Sequence, residues 1–244
     1  MMIWNSTLTC CLLSVLVGLS CPSLAKAAKE GKFDPTDHYR EQRLNGWRLL
    51  VNKRLLSERE LCRKTLRLLD DQLFQITRVV PAKPLAKLRK VTIWVEKADP
   101  NHPCMCYHPD AEWLRENNMN PDKTKGVELA NAENFLTWTI QQPWMVFHEL
   151  AHAYHDQFLD DGFEHKEVLA AFDQAMADKL YDKVLRINAK RVKAYATTNQ
   201  MEYFAEASEA FFGTNDFYPY VRSELKEHDP RLFVVLEKAW GLRH

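Results

Sequence analysis

Apolar and polar positions change period several times along this chain, and each change marks an element. Residues 8–20 are apolar, rich in Leu and Val. That run is about the length of a signal-peptide apolar segment and shorter than the roughly 20 residues of a spanning helix. Residues 26–45 read as a polar, flexible lead. After Gly46, Trp47-Arg48-Leu49-Leu50-Val51 alternates loosely, as a strand does. Ser57-Glu58-Arg59-Glu60 has the form of a capping box. It opens a helix with apolar positions at Leu61, Leu66, Leu69, Leu73, Ile76 and Val80, stopped by Pro81. The β-branched run Val91-Thr92-Ile93-Trp94-Val95 predicts a second strand, closed by Asp99-Pro100. Strand, helix, strand in this order implies a parallel pair with a right-handed crossover.

Residues 101–125 are loop-rich, with Trp113-Leu114 on a short helix. Gly126-Val127-Glu128-Leu129-Ala130 predicts a short strand. Pro143 suits a first helical position, and Asp160-Asp161-Gly162 suits a stop. Between them Val146, Leu150 and Ala153 form an apolar stripe. A long amphipathic helix is expected over 166–193, a further one from Asn199 to Gly213, and a helical C-terminus over 217–244. There is no internal repeat. The order predicts an α+β fold: a small mixed β-sheet backed by helices, with a helical C-terminal part.

The chain has 244 residues, with 33 basic and 33 acidic side chains and no net charge. This excludes the basic footprint of a nucleic-acid binder. Ser23-Leu24-Ala25 supplies the small residues a signal peptidase reads, so 1–25 is expected to be a cleaved signal. The segment before Leu8 carries no Lys or Arg, which leaves an uncleaved anchor as the alternative. Lipidation at Cys21 is disfavoured by the poor lipobox Gly18-Leu19-Ser20. After cleavage no stable membrane insertion is expected. Residues 46–244 then form one domain, exported to a periplasmic, cell-surface or extracellular, oxidising compartment.

The chemistry concentrates in His148-Glu149-Leu150-Ala151-His152, an HExxH string on the helix before Gly162. Residues i and i+4 share a helix face, so two imidazoles can bind one Zn²⁺. The glutamate between them can take a proton from an attacking water. The bland alternative is a core helix with incidental histidines. A catalytic zinc needs a third protein ligand. His155 lies seven residues from His148, about 10.5 Å along a straight helix, so one ion cannot bind all three histidines. Glu202, and one turn later Glu206, are the better candidates. Glu202 could ligate, and Glu206 could accept the free ring N–H of a ligand histidine. Glu202 also sits three residues after Asn199, where a capping-box carboxylate belongs. Spacing does not choose between these readings.

The stretch Tyr195 to Ala207, with its core Thr198-Asn199-x-x-Glu202-x-Phe204-Ala205-Glu206-Ala207, resembles the catalytic domain of anthrax lethal factor and related gluzincin metallopeptidases. Lys125-Gly126-Val127-Glu128-Leu129 is a second, shorter match. The resemblance spans roughly 125–240. It implies a zincin-like fold, with His148, His152 and Glu202 binding zinc, Glu149 as general base and Glu206 as the supporting carboxylate. Tyr195 would place its hydroxyl near the oxyanion or leaving amine. The Gly126-Val127-Glu128 strand would offer a free edge to an extended peptide or protein substrate. The interval from Leu129 to His148 looks longer than in the relative, Cys104-Met105-Cys106 has no counterpart, and the toxin's additional domains are absent.

Cys62, Cys104 and Cys106 remain after signal cleavage. A disulfide from Cys62 to Cys104 or Cys106 is expected if the two strands are parallel. A second metal site within His102-Pro103-Cys104-Met105-Cys106-Tyr107-His108, or buried reduced thiols, are the alternatives. The expected protein is a secreted zinc metallopeptidase. Its rivals are a zinc-bearing peptide-binding module without turnover, and a zinc hydrolase of a non-peptide amide.

Overall fold

Asn45 and Gly46 both adopt left-handed backbone, with φ of 48° and 94°. They close a two-residue hairpin between β1 (Tyr39–Leu44) and β2 (Trp47–Asn52). Asn-Gly suits such a turn because Gly carries no Cβ and Asn tolerates positive φ. The computed structural model describes residues 33–99 and 101–242, and these form one compact unit. The expected signal at 1–25 lies outside the described residues. The expected lead at 26–45 is corrected where it is described: β1 occupies its second half. β1 is an edge strand with only Tyr39 buried, so it has no apolar pattern to betray it.

Asn52 ends β2 and caps α1 (Lys53–Ser57), its side chain accepting from the Arg54 N–H. A short helix therefore precedes the one expected from Ser57. α2 (Arg59–Val79) starts after Glu58, and Ser57 turns its hydroxyl back to the Arg54 carbonyl instead of capping forward. α3 (Ala82–Leu88) follows Pro81 and leads into β3 (Ile93–Val95). β2 and β3 are parallel, with Leu49 opposite Ile93 and Val51 opposite Val95, as the element order implied.

β4 (Met105–Tyr107), α4 (Ala111–Glu116), β5 (Val127–Leu129) and α5 (Ala132–Trp138) come next. The five-stranded sheet runs β1-β2-β3-β5-β4, with β1 and β4 antiparallel at its edges. Side chains alternate across it. Leu49, Val51, Ile93, Val95, Val127 and Leu129 join the main core with Leu69, Leu73 and Ile76 of α2. Leu50 and Trp94 face the other way and pack with Tyr39.

α6 (Met145–Phe158) carries the HExxH string against the main core. α7 (Lys166–Ala177) ends well short of the expected 193. Lys179 takes left-handed backbone, and the Lys179 and Leu180 N–H groups bond back to Met176 and Ala175. This closes the helix as a Schellman motif without the usual Gly, so no composition signal announces it. The hairpin of β6 (Val184–Leu185) and β7 (Arg191–Val192) turns the chain toward α8 (Gln200–Phe212). The C-terminal α9 (Arg222–His228) and α10 (Pro230–Ala239) follow, with Asp229 capping α10. Trp240 is fully buried, stacks on Tyr154 of α6 at 4.1 Å, and donates to Ser208 of α8. The outcome is a mixed α+β architecture in which α8 and α10 clamp α6.

The described cysteines Cys62, Cys104 and Cys106 are free, against the expected disulfide. Two strands separate β4 from β2, so the ends near Cys62 and Cys104 lie about 14 Å apart across the sheet. Cys104 packs instead on Met145, with sulfurs 3.4 Å apart.

Gly213 ends α8 where the ring of Trp144 ends the approach to α6; a Cβ there would lie 1.9 Å from that ring. Its φ of −151° suits any residue, so the constraint is purely steric. Gly213→Ala should cost about 1–3 kcal/mol through overpacking, read as a lower urea midpoint with unchanged slope. An unchanged midpoint would mean the two helix ends are not in contact.

Candidate metal centre

His148 and His152 lie one turn apart on α6, and their rings meet edge to face at 4.7 Å. Leu150 and Ala151 turn into the core and hold this face toward α8. The two Nε2 atoms are 3.0 Å apart. Asn199 caps α8 by accepting from both the Met201 and Glu202 N–H groups. With the cap satisfied by Asn199, the Glu202 carboxylate turns to the histidines. Its Oε2 lies 3.0 Å from His148 Nε2 and 3.2 Å from His152 Nε2. The capping-box alternative for Glu202 therefore gives way to a position facing both rings.

His148 Nδ1 lies 2.7 Å from Glu209 Oε1. Donation of its N–H to that carboxylate fixes the tautomer and leaves the Nε2 lone pair pointing at Glu202. Burial disfavours a charged His148, but Glu202 and Glu209 outweigh it and hold its pKa well above the ordinary value. Burial also pushes the Glu202 carboxyl up, yet His152 and His148 hold it well below the usual carboxylate range. The centre thus calls for positive charge among three donor atoms. Donors at about 2.0–2.1 Å from a tetrahedral ion lie about 3.3–3.4 Å from one another. The observed 3.0–3.2 Å triangle fits one such ion, and these residues could hold a divalent metal.

Glu149 is half-buried on the same helix. Burial and the Glu149 charge push the Cys104 thiol up to about 12. The Tyr195 phenol is likewise raised, by burial, by Glu202 and in smaller part by Glu149. Tyr195 lies on the 3-10 turn before α8 and donates to Glu202 Oε1 at 3.2 Å. At 47% exposure its hydroxyl borders open solvent.

Two sequence expectations change. β5 has no free edge, because β3 and β4 pair with its two sides. Gly126 precedes it in a tight approach to Lys123 and Trp94, and Val127 and Glu128 are fully buried. The free edge beside α6 belongs to β4. Tyr107 on β4 donates to Asp156 of α6 at 2.5 Å, and Gln157 bonds to the same hydroxyl at 3.1 Å. Next, the carboxylate bonded to a candidate ligand histidine is Glu209, not Glu206. Glu206 is buried nearby with one oxygen unpartnered, and burial followed by the Glu209 charge raises its pKa well above the ordinary value. The available signal was spacing, since Glu202 and Glu209 are seven residues, or two turns, apart. His155, set aside as a ligand by its spacing, is wholly buried between Phe163 and Phe204, and burial drives its pKa down to about 3.

Comparisons with protein-family models, with curated proteins and with solved structures give no match for this chain. Among the described residues, no helix is long and apolar enough to cross a membrane.

Zinc affinity should grade with these contacts. Glu202→Ala should lose the ion, while Glu209→Ala should weaken it about 10–100-fold. Glu206→Ala should weaken it less, and His155→Phe should leave it unchanged. Titrations against a competing chelator read all four. A Glu206 effect larger than that of Glu209 would contradict the hydrogen-bonding pattern.

Proposed function

We propose that this protein is a zinc-dependent metallopeptidase of the gluzincin kind. The observation that carries the reading is the triangle of His148 Nε2, His152 Nε2 and Glu202 Oε2, all 3.0–3.2 Å apart, with both histidines on the helix that also carries Glu149. Two imidazoles and one carboxylate form a donor set found in catalytic zinc sites, which keep a fourth position open. The Tyr195 to Ala207 motif supports the same assignment. When bound, zinc would supply Lewis acidity, making water acidic and polarising a carbonyl.

The chain's own residues then divide the work. His148, His152 and Glu202 hold the ion, and Glu209 fixes the His148 tautomer. Glu149 accepts the proton of the attacking water and returns it to the leaving amine. The Tyr195 hydroxyl, kept protonated by burial and Glu202, donates toward the developing oxyanion. An extended peptide pairs along the free edge of β4, taking the place expected of the 126–128 strand. The substrate is a peptide or protein, and the apolar sequence at 8–20, read as a signal, supports export.

Glu149→Gln should keep full zinc content and lose about 10²–10⁴-fold in kcat on a peptide library. Tyr195→Phe should also keep zinc and lose about 10²-fold or more in kcat, with KM little changed. Wild-type turnover by Glu149→Gln sinks the peptidase reading. Tight peptide binding without cleavage by the zinc-loaded wild type would favour a binding module instead.

A further inference from the structure

A second cluster of donor atoms lies across the sheet from the HExxH helix. Cys106 is the central residue of β4 and pairs with Glu128 of β5. Its neighbour Tyr107 points to α6, so Cys106 and Glu128 point to the opposite face. The ladder continues through His108, whose N–H bonds to Gly126 and whose carbonyl accepts from Lys125. His108 therefore shares the face of Cys106. His102 closes over both from the preceding loop, its ring 5.5 Å from that of His108.

One donor atom from each of His102, Cys106 and His108 falls within 4.8 Å of the others. Cys106 Sγ and His108 Nε2 are 3.5 Å apart. A tetrahedral ion with a thiolate at about 2.3 Å and an imidazole at about 2.0–2.1 Å sets those atoms about 3.5–3.6 Å apart. His102 Nε2 is buried with no hydrogen-bond partner, an expensive state for an imidazole nitrogen. Glu128 Oε2 approaches His108 Nε2 at 2.6 Å, so a proton or another cation must lie between them.

Charge counting around the cluster agrees. Glu128 and Glu96 are both buried, and both bond to the one buried ammonium, Lys123. Asp99 stands a further 3.8 Å from that nitrogen. These carboxylates outnumber the ammonium, so the pocket favours a further positive charge, which a cation at the cluster would supply.

We propose that His102, Cys106 and His108 form a second site for a borderline transition metal such as zinc. Its donors come from β4 and from the segment that leads into it, so the ion ties that edge strand to the 101–104 loop. Binding displaces the Cys106 thiol proton. The proposal stands independently of the peptidase reading, because the two clusters share no donor.

Cobalt(II) separates them, since only this site contains sulfur. The reduced full chain should take up two cobalt ions, one of them producing a thiolate-to-cobalt charge-transfer band in the near ultraviolet. Cys106→Ser should abolish the band and lower uptake to one ion. Cys104→Ser should keep both, and His148→Ala should keep the band while losing the other ion. His102→Ala, changed in a loop, should keep the fold by circular dichroism and weaken the banded site at least 10-fold. Absence of the band at saturating cobalt, or its survival in Cys106→Ser, overturns the proposal.

Discussion

Two imidazole nitrogens and a carboxylate oxygen meet within 3.2 Å where α6 crosses α8, and the surrounding fold keeps them there. Left alone, such side chains would move apart, because water would solvate them better. The aromatic packing behind them resists that movement. Phe147 contacts Phe212, and Trp240 stacks on Tyr154 and lies over Phe204. These rings join both helices to the C-terminal segment. Gly213 lets the end of α8 approach Trp144. Burial of large rings is worth a few kcal/mol each, which holds the two helices at this spacing.

β4 links the two faces of the sheet although it is only three residues long. Through Tyr107 it is fastened to Asp156 and Gln157 of α6, which sets the height of the sheet edge beside Glu149. Through Cys106 it belongs to the polar cluster of the opposite face. That cluster continues through His108, Glu128, Lys123 and Glu96 to Tyr39 and Asn52, and so reaches β1. Buried ionic networks of this kind add little net stability but penalise misregistered strands. In a sheet of short strands, that selectivity favours one register of β4 against β5.

Sequence periodicity was informative wherever a whole element repeats its pattern. The parallel pair of β2 and β3, the helix of HExxH and the helix after Asn199 were all legible. Periodicity did not bring Glu202 to His148 and His152: spacing left it open between a cap and a ligand, and only the resemblance over 195–207 implied the meeting. Other features left no such trace. β1 is polar because it lies at an edge, and its Asn-Gly turn was the sole signal. α7 stops at a left-handed Lys179, where composition would ask for Gly. β4 is too short to show alternation, so the edge role fell to β5 by default. Glu206 and Glu209 occupy neighbouring positions of the same helix face. Only the rotation of α8 against α6 decides which of them reaches His148 Nδ1.

The central claim is that the three-donor centre hydrolyses peptide bonds when it holds zinc. Cleavage of an unstructured peptide library tests it most directly, using protein stripped by a chelator and then given zinc back. Cleavage should vanish on stripping, return with zinc in the wild type, and fail to return in Glu202→Ala. Cleavage that persists in the stripped protein, or that zinc restores equally in Glu202→Ala, would contradict the account.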